Sequence, residues 1–94
     1  LSQCLGNKNM MLMGNHGFLS VGKTPALAFD LAYHYERGCC TYITALSTGA
    51  PLSFLPDGVA EKTACQWEQY DEAVDKHLTA IRTILDEDEP EYRL

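Results

Sequence analysis

Three kinds of side chain in this 94-residue sequence can do chemistry: 3 histidines, 4 cysteines, and a Lys-Thr pair in a glycine-bounded run. His16 lies between Gly14 and Gly17 in the run Met10 to Pro25, MMLMGNHGFLSVGKTP. Flanking glycines let the backbone turn tightly and leave room for another group to approach the imidazole. That setting suits a metal ligand or a general base. A histidine beside glycine is also a common turn residue whose ring hydrogen-bonds to backbone. Catalytic zinc takes three protein ligands and an open position, and nothing within a few residues of His16 supplies a second His, Cys or carboxylate. Its partners must come from elsewhere.

The same run carries a second pattern. Gly17 to Thr24, GFLSVGKT, matches the phosphate-loop spacing G-x-x-x-x-G-K-[ST] and precedes a helix start. A phosphate-cradling loop needs exposed backbone N–H groups, whereas Phe18, Leu19 and Val21 are bulky residues that prefer a strand. No later apolar strand ends in an Asp to hold magnesium. A P-loop nucleotide binder is therefore only a remote alternative. Cys4, Cys39, Cys40 and Cys65 form no C-x-x-C pair, and adjacent Cys39 and Cys40 point in different directions around a helix. They read as buried free thiols of a reducing compartment. Glu36, Arg37, His34 and His77 fall on helices that each present a solvated face, and no catalytic role is assigned to them.

Positioning His16 falls to the elements around it. Met10 to Met13 and Phe18 to Val21 are short, largely apolar and glycine-bounded, as strands buried on both faces should be. Everything later reads as helix. Thr24-Pro25 is a start signal, with Thr as N-cap and Pro at the first helical position, where its missing N–H costs nothing. The helix runs to about Ser47, with Ala28, Ala32, Tyr35, Cys39, Ile43 and Leu46 on one face and Gly49 placed to end it in a left-handed conformation. Thr48 to Gly58 is a connecting loop whose Leu52, Phe54 and Leu55 tuck against the body. A last helix runs from about Val59 or Ala60 to Asp86, with Trp67, Tyr70, Val74, Leu78, Ile81 and Leu85 on its apolar side. Trp67 reads as a packing anchor. The tail DEDEPEYRL is a solvated charge run, from which Tyr92 could reach a neighbouring subunit.

Composition limits the partners. The chain is 46% hydrophobic and 21% charged, so it is globular rather than disordered. A formal charge of −6, with only 7 scattered Lys and Arg, argues against a nucleic-acid surface. No apolar run approaches the roughly 20 residues that span a bilayer, and no signal peptide is visible, which predicts a cytoplasmic protein. Leu1 to Asn9 is a polar lead-in without an initiating Met. A two-stranded ribbon that is apolar on both faces would leave edges unpaired, so the chain is expected to be part of a larger domain.

Taken together, MMLMGNHGFLSVG, the helix AFDLAYHYERGCC, ALSTGAPLSFLP and the final helix with Trp67 before DEPEYR resemble the class II aldolase/adducin family. The resemblance covers essentially all 94 residues. It implies an α/β fold, a three-layer α/β/α class II aldolase-like domain with a largely antiparallel sheet. This chain would supply two strands and the C-terminal helices, residues 1–94 forming the C-terminal part of the domain with the N-terminal part absent. It also implies a homotetramer and a divalent metal, typically zinc, held by an upstream H-x-H pair and by the histidine of the N-H-G turn, which is His16. The upstream pair, the acid/base Glu and the phosphate-binding loops fall outside this sequence, so residues 1–94 hold no catalytic set of their own. The expected activity of the full-length parent is that of a metal-dependent aldolase, epimerase or dehydratase, a lyase-type enzyme acting on a ketose phosphate or related hydroxy-carbonyl compound. The alternative is an adducin-like, non-catalytic scaffold or interaction domain, which can keep the same turn.

Overall fold

Local signals around Thr24 set the longest element. In the computed structural model, which describes residues 2–93, Thr24 has extended backbone (φ −133, ψ 157) and its Oγ1 accepts from the Leu27 N–H at 3.1 Å. That bond satisfies one of the N–H groups left unpaired at a helix start. With Pro25 in the first turn, the helix continues through Ser47, and Gly49 follows it at φ +71. The elements in order are α1 (Ser2–Leu5), β1 (Met10–Met13), β2 (Gly17–Ser20), α2 (Pro25–Ser47), α3 (Asp57–Glu68), α4 (Asp71–Asp88) and a 3-10 turn over Pro90–Arg93.

β1 and β2 form an antiparallel hairpin that pairs Met10 with Ser20, Met11 with Leu19, Leu12 with Phe18 and Met13 with Gly17. Gly14, Asn15 and His16 close it; Asn15 takes the left-handed conformation (φ 56) and Gly17 has φ 125, open only to glycine without strain. The hairpin lies on α2. Phe18 packs on Tyr35 with ring centroids 5.4 Å apart, and the Ser20 hydroxyl donates to the Ala28 carbonyl at 2.8 Å. At Gly22 the chain runs so close to α2 that an added Cβ would stand 2.6 Å from the Ala28 nitrogen.

Gly17–Ser20 is thus a paired strand, and the phosphate-loop reading of GFLSVGKT fails: its first half is extended, so its N–H groups do not converge as a phosphate cradle requires. The second strand begins and ends one residue earlier than the sequence suggests. Neither strand has a buried residue, and Leu12 is 71% exposed although it pairs with Phe18, whose ring meets α2.

α2, rather than the hairpin, is the common partner of the fold, packing on β2 and on α4. Its predicted face divides in two. Ala28, Ala32, Tyr35 and Cys39 are half-buried, but Ile43 and Leu46 are exposed, because α4 and the hairpin both meet only the first part of the helix. Ala26 and Asp30 are the buried residues among those described. The Cα radius of gyration is 16.1 Å, against about 12 Å for a compact chain of this length.

Three further expectations are corrected, and the lead-in is found to hold a short helix. The lead-in contains α1, although Leu1 lies outside the described residues. Phe54 (73% exposed) and Leu55 (64%) do not tuck in, because the extended segment after Gly49 has no neighbouring surface to receive them; Leu52 alone is half-buried. Cys4, Cys40 and Cys65 are exposed and only Cys39 is half-buried, so the thiols are free but not buried. The single last helix is two. Gln69 and Tyr70 donate to the carbonyls of Gln66 and Trp67, three residues back, which tightens the end of α3, and Tyr70 leaves the helical region (φ −98, ψ 58). No Gly or Pro marks the break. It frees α4 to lie along α2, with Val74, His77, Leu78, Ile81 and Leu85 half-buried.

The tail folds back instead of reaching outward. The Tyr92 hydroxyl and the Arg93 guanidinium both donate to Asp86 on α4. No helix among the described residues is long and apolar enough to cross a membrane.

Candidate metal centre

His16 stands exposed at the tip of the hairpin, with its backbone N–H donating to the Met13 carbonyl at 3.3 Å. A Cβ built on Gly14 or Gly17 meets nothing within 4 Å, so there is open space on both sides of it. That room fits a bound ion and a substrate, but the described residues bring no second and third donor to it. In this chain His16 is one ligand at most.

The convergence of donors lies elsewhere. Asp30 and His34 are four residues apart on α2, the spacing that stacks side chains on one helix face. The His34 Nε2 stands 3.5 Å from the Asp30 Oδ1. From α4, His77 brings its Nδ1 to 2.7 Å from the same oxygen. A carboxylate only accepts, so with Asp30 ionised the His77 Nδ1–H donates to it. One ligand atom from each of Asp30, His34 and His77 lies within 4.8 Å of the others. Asp30 is 8% exposed, a buried polar residue whose carboxylate is hydrogen-bonded by His77, with the His34 imidazole 3.5 Å away.

Aromatic rings fix the histidines. Tyr33 meets His77 edge-on at 4.6 Å and Phe29 flanks it at 5.2 Å, while Trp67 meets His34 edge-on at 4.9 Å. Trp67 therefore packs on a ring of the cluster while remaining 57% exposed. A cavity of about 580 Å³ opens beside the three, lined also by Lys23, Trp67 and Asp71. His34 and His77 are accordingly not idle groups on solvated faces. The residue types were legible, since Asp30 and His34 share a helix face and His77 lies between Val74 and Ile81 on the apolar side of α4. The meeting depended on the break at Tyr70, which has no sequence signal.

Two other polar groupings are local. The Cys40 thiol donates to Glu36 at 3.1 Å, and this carboxylate raises the thiol above its ordinary value, first through the hydrogen bond and then through its charge. The Arg37 guanidinium donates to the Tyr33 hydroxyl at 3.3 Å and is held above its ordinary value by that bond.

Sequence comparison supplies the relatives. Residues 1–43 match the family described as Class II Aldolase and Adducin N-terminal domain. A curated protein of Caulobacter vibrioides, "Putative aldolase class 2 protein", is 37% identical over 57 residues, 61% of this chain and 22% of the relative. The match thus spans about a fifth of the length of that relative. No solved structure matches the chain. The family match takes in the hairpin, Asp30 and His34, and ends inside α2, leaving His77 beyond it. Through these first 43 residues the chain is similar to the class II aldolase and adducin family.

Proposed function

We propose that this chain is part of a metal-dependent class II aldolase-type enzyme acting on a ketose phosphate or a related hydroxy-carbonyl compound, with His16 as one of the metal's protein ligands. The observation that carries this reading is the family match over residues 1–43, which contains the Asn15-His16-Gly17 turn. The aldolase name of the curated relative weighs for an enzyme over an adducin-like scaffold. The surrounding domain is the three-layer α/β/α type, assembled as a homotetramer in the cytoplasm, with residues 1–94 as the C-terminal part. The mixed composition of a two-stranded hairpin backed by α2 is compatible with that architecture.

The division of labour follows from local geometry. A divalent ion such as zinc, when bound, supplies Lewis acidity toward the oxygens of a hydroxy-carbonyl substrate. His16 contributes an imidazole at the end of a hydrogen-bonded hairpin, whose ladder and left-handed Asn15 fix where the ring starts. Gly14 and Gly17 keep bulk away from it. The remaining ligands and the acid/base group come from segments of the parent protein outside these residues.

The test is His16→Ala in the full-length protein, followed by metal content and by lyase activity on hydroxy-carbonyl phosphates. Loss of one metal equivalent per chain, together with a fall in activity of about a hundredfold or more, is expected for removal of a ligand to a catalytic ion. Full metal content and activity in that variant would remove His16 from the metal site, and a wild type that holds no metal and shows no lyase activity would return the scaffold reading.

A further inference from the structure

We infer that Asp30, His34 and His77 form a second binding site, for a divalent transition metal such as zinc or cobalt, separate from His16 and joining α2 to α4. The donor set is one carboxylate and two imidazoles, which suits first-row transition ions and not calcium or magnesium, whose sites are built from oxygen. Ligands about 2.1 Å from one ion stand about 3.0–3.4 Å from each other in octahedral or tetrahedral geometry. The 3.5 Å between His34 and Asp30 lies just beyond that spacing. The 2.7 Å between His77 and Asp30 must open by about half an ångström, within reach of small side-chain rotations.

Placement supports the assignment as much as distance does. The carboxylate is buried and both rings are braced by aromatic neighbours, so the donors are held before any ion arrives. The cavity lined by all three leaves space for water or another small ligand at the remaining positions. Of the charged groups that share this cavity, Glu68 and Asp71 favour a cation and Lys23 opposes it. Asp30 and His34 lie within the family-matched stretch and His77 outside it, so the complete triad is a feature of this chain's own α2–α4 packing.

The experiment is a Co2+ titration of the full-length His16→Ala protein, read by visible absorption and by metal stoichiometry. One Co2+ per chain is expected to bind, with d–d bands that show histidine ligation. Adding Asp30→Asn or His34→Ala should weaken that binding by about tenfold or more. Because His34 is exposed, His34→Ala keeps the fold and stays interpretable if Asp30→Asn does not. A His16→Ala protein that binds no Co2+, or binds it equally well after His34→Ala, overturns the assignment. Since His16 is absent from every arm, the outcome is independent of whether His16 is itself a ligand.

Discussion

The Nδ1 of His77 stands 2.7 Å from the Oδ1 of Asp30, a hydrogen bond between residues 47 apart that fastens α4 to α2. In a chain with so little buried apolar surface, a half-buried polar bond of this kind holds a larger share of the tertiary structure than it would in a full core. Removing one partner leaves the other short of its bond. His77→Ala should therefore lower the stability of the α2–α4 unit by about 1–3 kcal/mol. Denaturant midpoints of the full-length protein in metal-free buffer, with amide exchange on α4 as the local readout, check this.

Gly22 predicts a different failure. A Cβ there would stand 2.6 Å from the Ala28 nitrogen and 3.1 Å from the Ala28 Cα, both backbone atoms of α2 that cannot swing aside. Gly22→Ala must push the hairpin off the helix, at a cost of about 1–3 kcal/mol. The matching change at Gly14, where an added Cβ meets nothing within 4 Å, should be milder. Comparing the two variants by thermal melting separates lost clearance from lost backbone freedom.

Acid should release the tail. The hydrogen bond from Tyr92, and then that from Arg93, holds the Asp86 carboxyl below its ordinary range. Its value in the docked state is thus lower than in the free state. The stabilisation is complete above the ordinary carboxylate pKa, about 3.9, and is lost as pH falls through the depressed value. Chemical shifts of Tyr92 followed down the acid limb should stay constant to near pH 4 and then move to free values. In Asp86→Asn they should hold free values at every pH.

Lys23 should be neutral toward nucleotides. Gly17–Ser20 is an extended strand paired with β1, so its N–H groups alternate in direction and cannot converge on a phosphate. ATP or GTP titrated into the full-length protein should give no saturable binding at micromolar concentration, and Lys23→Ala should change nothing. Binding lost on that substitution would restore the phosphate-loop assignment.

What could be read from the sequence was what local chemistry decides. Thr24-Pro25 begins α2 and Gly49 follows its end because an N-cap oxygen, a fixed proline φ and a left-handed glycine act within a turn of themselves. The hairpin around Asn15 and His16 was legible for the same reason. The break between α3 and α4 was not, since Gln69 and Tyr70 are acceptable helix residues and only the packing of α4 on α2 favours ending there. That single turn decides where His77 goes, which is why a histidine assigned to a solvated face meets Asp30 instead. The exposure of Phe54, Leu55 and the thiols escaped for a related reason: hydrophobic pattern says which side chains want cover and says nothing of whether a neighbour provides it.

The uneven anchoring of α2 has a kinetic consequence. Its first part is tied to the hairpin and to α4, whereas Tyr42, Ile43 and Leu46 in its last turns face solvent. A stretch of about ten residues without tertiary support is marginally helical in water, and Gly38, about 1 kcal/mol poorer than alanine in a helix, sits at the join. The far end should open and close by fraying in microseconds, while the near end opens only when α4 lets go. One continuously hydrogen-bonded helix then carries two clocks, and the hand-over between them falls near Gly38.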